Sequence, residues 1–321
     1  MRNNFIYILL FLLFFGCSSQ QEKIKRTIIS MGTTIEIQVI HPDDQAANEA
    51  INSAFEEVER INRKYSTYID SNYIWVINNS ELGELKVDDE TFYLLHKCNE
   101  FYEITNGAFD AAIGTYIDIL GFETGNPDEP TITEIQSALE KVGWKHIELL
   151  ENNLIRKNKP VKINFGAIAK GYAVDRMAEI LRNNGIKKFL INAGGELIGE
   201  GNDWTIGIQH PRKKNQLLGR VILNNISVAT SGDYEQFFEK NNKRFHHIIN
   251  PKTGLPSLET QAVTIISEKN VDADALATGV FVIGPVEGLR IIESLKNVEG
   301  LIVDSSGSII KSSGFDQYFR R

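Results

Sequence analysis

Two segments hold residues whose types and spacing suit phosphate chemistry. In the first, Ile163-Asn164-Phe165-Gly166-Ala167-Ile168-Ala169-Lys170-Gly171, the alternation of Val161, Ile163 and Phe165 gives way to helical spacing at Ala173, Met177, Ile180 and Leu181. The pattern predicts a strand that turns into a helix. Gly166 and Gly171 let backbone approach a ligand there, unpaired amide N–H groups and the positive end of the helix dipole favour an anion, and Lys170 adds a formal charge. An ordinary strand-to-helix turn with a surface lysine has the same residues. In the second, Val271-Asp272-Ala273-Asp274-Ala275-Leu276-Ala277-Thr278-Gly279, Asp274 and Thr278 fall on one helical face about one turn apart. Two oxygens so placed suit a hard cation such as Mg²⁺, whose shell phosphate or water completes. A plain helix start, with Asp272 as N-cap and Asp274 set against the dipole, uses the same spacing.

Other segments offer weaker chemistry. His246 and His247 are neighbours in a strand-like run that leads into Asn250-Pro251-Lys252-Thr253-Gly254, so they point to opposite faces and at most one serves a given site. Gly107-Ala108-Phe109-Asp110-Ala111-Ala112-Ile113-Gly114 sets small residues around an aromatic and a carboxylate, which suits a flat ligand or tight helix packing equally. Two familiar signatures fail. Gly199 and Gly201 are followed by Trp204 and no helix, so a dinucleotide fingerprint is absent. Lys252-Thr253-Gly254 lacks the Ser-Asp-Asn and correctly placed Ser-x-x-Lys of penicillin-binding enzymes, since the Ser308 to Lys311 match lies at the wrong end.

The elements that must position these residues read as a mixed α and β chain. Residues 27–40 form a long β-branched strand with a bend at Gly32. A helix follows Pro42-Asp43-Asp44, with Ala47, Ile51, Ala54, Phe55, Val58 and Ile61 as its apolar stripe. Residues 65–71 read as a loop, 91–104 as a helix stopped by Asn106-Gly107, 133–142 as a short helix, and 146–157 as a hairpin turning at Glu151-Asn152-Asn153. Gly125-Asn126-Pro127-Asp128-Glu129-Pro130 is the expected boundary between lobes. Strands are expected at 188–191, 204–209, 219–223, 226–229 and 261–267, then a helix over 286–295 and a hairpin at Asp304-Ser305-Ser306-Gly307.

With 321 residues the chain can bury a full core, and its formal net charge of -8 gives no general attraction to a nucleic-acid backbone. At the start, Arg2 precedes an apolar run from Phe5 to Phe15 and then Gly16-Cys17-Ser18-Ser19. That run is short for a membrane span and reads as a secretory signal. Leu13-Phe14-Phe15-Gly16-Cys17 resembles a bacterial lipobox, which implies cleavage after residue 16, acylation of Cys17 and a tether over residues 17–26. Cys98 is then the only free thiol, and no internal disulfide can form.

Taken jointly, the segments resemble the ApbE-type FAD:protein FMN transferases. The resemblance runs from Met31-Gly32-Thr33-Thr34 to Asp274 and Thr278. It rests on the Gly166–Asp175 run, Asn192-Ala193-Gly194-Gly195-Glu196, Ser231-Gly232-Asp233-Tyr234, His247 to Gly254, and Asp272 to Thr278. It implies an α+β fold, mostly antiparallel with packed helices, in which two lobes within residues 27–321 enclose a cleft for FAD with Mg²⁺ on its diphosphate. Met31, Tyr68, Ala108, Phe109, Asp110, Asn164 and Lys170 match nucleotide contacts. Ala167, through its carbonyl, matches a metal ligand together with Asp274 and Thr278. His247 matches a histidine with a catalytic or FAD-contacting role, and Asp233 or Asp272 stand as alternative bases. Many members carry Asp at the place of Asn164, and an amide cannot act as base, so Asn164 is assigned to binding.

The implied reaction is Mg²⁺-dependent transfer of FMN to a Ser or Thr hydroxyl of an acceptor flavoprotein, such as a subunit of a membrane redox complex, with release of AMP. Hydrolysis of FAD to FMN and AMP, or flavin binding without catalysis, are the competing readings. No Ser-Gly-Ala-Thr-like acceptor sequence occurs in the chain. The lipid anchor and the family together place the protein on the outer, periplasmic side of the inner membrane, although Ser18-Ser19 carries no aspartate retention signal and leaves an outer-membrane location open.

Overall fold

The computed structural model describes residues 23–122, 127–241 and 243–320. The lipobox, Cys17 and the first two residues of the expected lobe boundary, Gly125 and Asn126, lie outside them. Among the described residues no helix is long and apolar enough to cross a membrane.

Local backbone chemistry sets the first hairpin. Met31 and Gly32 both take positive φ, 50° and 70°, as a two-residue hairpin turn requires. The chain therefore reverses at a point where the sequence suggested only a bend. Lys23–Ser30 and Thr33–Ile40 pair antiparallel with Ser30 opposite Thr33. Gly194 and Gly195, also at positive φ, make the equivalent turn between Phe189–Ala193 and Glu196–Glu200.

These strands open an eight-stranded sheet that continues through Ile226–Gly232, Thr260–Ser267, Glu299–Asp304 and Ile309–Lys311, every neighbour antiparallel. On one face Ile191, Ile198, Ala229, Val263, Ile265 and Ile302 join a core with the helices Asp44–Tyr65, Ala169–Asn183 and Asn270–Ile283. On the other, Leu190, Leu197, Val228, Ala262, Ile266 and Leu301 meet Trp204, Ile208, Val221 and Leu223 of a three-stranded sheet. Covered on both sides, Thr260–Ser267 is buried along its whole length. Its sequence consequently shows no regular alternation of apolar and polar residues. A smaller core gathers Tyr116, Leu120, Ala138, Val142 and Ile249 around the helices Gly114–Leu120 and Ile132–Leu139.

Capping explains where the helices begin. Asp43 accepts from Ala46 N, Asp88 from Thr91 N, and Thr131 forms a reciprocal capping box with Glu134. Asn106 and Gly107 end Asp89–Ile104 at positive φ, and Asn152 and Asn153 turn the hairpin between Ile147–Leu149 and Leu154–Lys157. The segment read as a loop over 65–71 starts on the last residue of the Asp44–Tyr65 helix, and a short helix, Tyr73–Asn78, follows it.

Residues 161–165 correct a second expectation. Val161, Ile163 and Phe165 are buried and alternate with more exposed neighbours, yet the segment belongs to no sheet. Its backbone bonds go elsewhere. The Asn78 amide takes both polar groups of Ile163, donating to its carbonyl and accepting its N–H at 2.8 Å each, while Asn164 N bonds Ala111 O. Period two reports which side chains are buried, and it is blind to whether the partner is a strand or a side-chain amide.

Ile265 lies fully buried between sheet and helices. Ile265→Ala should lower unfolding free energy by about 2–5 kcal/mol, read as a reduced denaturant midpoint at unchanged slope.

Candidate active site

The Lys170 helix and the Asp274 helix meet at a glycine. Gly171 N donates to Asp274 Oδ2 at 2.8 Å. A Cβ on Gly171 would stand 2.5 Å from Asn270 O and 2.7 Å from Asp274 Cβ, so only glycine permits this approach. One turn later Asp175 accepts from Asn270 N at 2.8 Å and Val271 N at 2.9 Å, capping the second helix from the first. The expected N-cap, Asp272, instead pairs with Lys97 at 2.9 Å. It is too near the helix interior to reach those first amides, whereas Asp175 arrives from outside the helix. Burial pushes the Asp175 carboxyl up to about 6 against the pull of the two N–H groups.

A cavity of ≈ 620 Å³ opens beside this crossing, and the residues matched to nucleotide contacts, metal ligands and the histidine all line it: Met31, Tyr68, Ala108, Phe109, Asp110, Asn164, Ala167, Lys170, His247, Asp274 and Thr278. Its remaining walls come from both the main core, through Tyr65 and Phe165, and the smaller one, through Ile113, Ile117 and Ile249. Met31 arrives on the hairpin turn, and Tyr68 stands 64 % exposed. Asn164 Oδ1 accepts from Gly166 N at 2.7 Å, which shapes the turn ahead of Lys170. Asp110 turns its carboxylate to the loop's own backbone, accepting from Ala112 N at 2.7 Å and Trp144 N at 3.0 Å. Burial raises its carboxyl to about 6 despite those bonds.

The paired histidines separate as strand geometry requires. His246 bonds Ser257 O at 2.8 Å and packs edge-on against Phe281, while His247 faces the cavity with Nδ1 at 3.2 Å from Gln236 O. That carbonyl can only accept, so Nδ1 carries the proton and Nε2 is left basic. Burial pushes the imidazole down to about 4. The two alternative bases do not line the cavity. Asp233 is held by the two terminal guanidinium nitrogens of Arg212 at 2.6 Å each, and Asp272 is held by Lys97.

Charge in the site is unbalanced. Lys170 Nζ bonds Glu196 Oε1 at 2.7 Å. Burial disfavours the ammonium, but Glu196, Asp274 and Glu235 together hold its pKa above the ordinary lysine value. Burial also drives all three carboxyls upward against the pull of Lys170. Glu196 Oε2 is buried without a hydrogen-bond partner among the described residues. Three carboxylates facing one ammonium leave an excess of two negative charges when all are ionised. Glu196 and Glu235 were not assigned to the site from sequence. Glu196 was visible only as the end of the Gly-Gly motif, and Glu235 lies past a strand end where no period locates it.

The donors around this charge fit a hard divalent ion. Asp274 keeps one carboxylate oxygen free of the Gly171 bond, and Thr278 Oγ1 sits one turn on, 3.1 Å from Ser231 Oγ. Ala167 lines the same wall. All are oxygen donors, which Mg²⁺ prefers. Among the described residues no group of three or more His, Cys, Asp or Glu side chains could hold a metal, so any ion here must take hydroxyl, carbonyl, water or phosphate oxygens as well.

Residues 31–302 match the model of the ApbE family. FAD:protein FMN transferases from Haemophilus influenzae and Vibrio cholerae are 30% and 29% identical, covering 93% and 92% of this chain and 92% and 91% of their own. The crystal structure of the ApbE protein of Thermotoga maritima superposes with a TM-score of 0.87 at 30% identity, over 94% of this chain and 100% of the other. The flavin transferase ApbE from Vibrio cholerae gives 0.82 at 26% identity, over 92% and 99%.

Gly171→Ala should force the two helices apart and lower stability by about 1–3 kcal/mol, measured by denaturant unfolding.

Proposed function

Because the chain belongs to the ApbE family, we propose that it transfers FMN from FAD to a Ser or Thr hydroxyl of an acceptor protein. The observation that carries this reading is the convergence of Lys170, Asp274, Thr278 and His247 on one cavity whose carboxylates outnumber its cation. On this reading Met31, Tyr68 and the Ala108-Phe109-Asp110 loop border the flavin nucleotide, and Asn164 holds the turn that presents Lys170 to the diphosphate. Asp274, Thr278 and the Ala167 carbonyl would hold Mg²⁺, which when bound neutralises phosphate charge and aligns the leaving group.

The acceptor hydroxyl oxygen attacks the FMN-side phosphorus, the bond to the AMP oxygen breaks, and AMP leaves with that electron pair. Lys170, kept protonated by its carboxylate neighbours, offsets charge on the phosphate oxygens. The hydroxyl proton passes to His247 Nε2, the nitrogen left basic by the Gln236 carbonyl. An imidazole held near 4 is a weak base in the free protein. Anionic phosphates beside it favour the imidazolium and raise its pKa in the complex.

The deciding experiment is incubation with FAD, Mg²⁺ and a candidate acceptor protein. Covalent yellow acceptor plus AMP is expected, whereas free FMN without labelled protein means hydrolysis and intact FAD means binding alone. Asp274→Ala should abolish transfer and also weaken Mg²⁺ binding measured by calorimetry without nucleotide; full turnover at ordinary Mg²⁺ refutes the ligand assignment. With neutral His247 as the active form, the rate is present above its pKa and lost below it. The acid limb of kcat/KM should therefore lie near pH 4, and that of kcat higher, with no limb of kcat/KM near 6.5. We also propose a lipid anchor at Cys17 on the strength of the lipobox, with the periplasmic side of the inner membrane taken from the family resemblance and an outer-membrane location left open. Cells grown with labelled fatty acid should label the wild-type chain and not Cys17→Ser.

A further inference from the structure

Beside the cavity runs a second space that the reaction as described does not use. On the strand Thr33–Ile40, Ile35, Ile37 and Val39 turn to the helices, so Thr34, Glu36 and Gln38 line the opposite face of the sheet. The three-stranded sheet does not fully cover that face. Between it and the strand Trp204–Gln209 lies an open, polar groove of ≈ 800 Å³.

We propose that this groove seats the acceptor polypeptide as an extended segment that adds to the edge of Trp204–Gln209, an inference that rests on the transfer reading above. Three observations carry it. Trp204–Gln209 is the terminal strand of its sheet, pairing with Leu217–Leu223 on one side and, among the described residues, with no strand on the other. Its outer row of backbone N–H and C=O groups is a template for one more strand, bound through main chain and therefore tolerant of sequence. The groove and the cavity share a wall that includes Met31, Lys170, Glu235 and Gln236, so a chain laid along the groove arrives where the diphosphate is held. Finally, Arg212, three residues beyond the strand, grips Asp233 at 2.6 Å through its two terminal guanidinium nitrogens. That pair ties the exit of the edge strand to the segment carrying Glu235, and so fixes the edge relative to the reacting centre.

The polar floor argues against a second flavin or other flat ligand, which apolar walls would hold. A polypeptide backbone needs the opposite: hydrogen-bonding partners and room for alternate side chains to point away.

The test uses the full chain with FAD and Mg²⁺, and a twelve-residue peptide centred on Ser-Gly-Ala-Thr as probe. Amide exchange over residues 205–209 should slow by about tenfold or more on peptide addition. N-methylation of alternate peptide amides should remove both this protection and flavin transfer. Thr34→Trp, which fills the groove from an exposed position, should raise the peptide KM by about tenfold or more, near 1.4 kcal/mol, with FAD affinity by fluorescence unchanged. Peptide flavinylation without protection of 205–209, or unchanged peptide KM in Thr34→Trp, overturns the proposal. So does loss of FAD binding in that variant, which would make the groove part of the nucleotide site. A wild-type chain that binds FAD yet labels neither peptide nor acceptor protein fails the transfer reading itself, and the inference falls with it.

Discussion

The contact on which the chemistry of this chain depends is the approach of two helices at Gly171. Its missing side chain brings Asp274 within hydrogen-bond reach of the Lys170 helix, and Asp175 closes the same junction by capping the first amides of the other helix. Both helices are anchored to one face of the large sheet, so neither can drift without disturbing the core. Rigid placement matters because phosphoryl transfer needs little from a protein beyond positioning and charge. The residues that do chemistry are few, and much of the surrounding sequence serves to hold them.

Electrostatics suits such a site to a positively charged ligand. Burying an ion costs several kcal/mol unless it is paired, and here the buried carboxyls of Glu196 and Asp274, with the more exposed Glu235 near them, compete for one lysine. The imbalance is carried by a fold whose core is large enough to absorb it. On the function proposed above, a divalent cation would relieve the excess, and an anionic diphosphate would then relieve the cation. On that reading the charge in this cavity is complementary to a metal-bound dinucleotide.

Legibility in the sequence followed the range of each signal. The Asp44–Tyr65 helix, the Asn152-Asn153 turn and the opposite facing of His246 and His247 depend on local periods and φ preferences, and the structure has them where the spacing put them. Residues 161–165 misled because a buried alternating run looks the same whether its partner is a strand or the side chain of Asn78. The cap of the Asp274 helix comes from Asp175, about a hundred residues earlier in the chain, which no local rule can find. The gathering of the candidate residues into one cavity was legible only through the family resemblance, since their roles are set by long-range packing. Glu196 and Glu235 escaped assignment for the same reason.

The hydroxyls lining the cavity argue for where the nucleophile comes from. Ser231 and Thr278 bond each other at 3.1 Å, Thr230 bonds Thr264 at 2.9 Å, and Ser66 accepts from Tyr68 N at 3.3 Å. Each is engaged with a partner inside the protein, and Thr278 is also wanted as a ligand. None of these hydroxyls is bonded to His247, the histidine that lines the cavity. The histidine is placed differently, with one nitrogen tied to a carbonyl and the other left to accept a proton from something that enters. On the function proposed above, His247 Nε2 would take the proton of a hydroxyl that enters with the acceptor, and no covalent intermediate on a side chain of this protein is required.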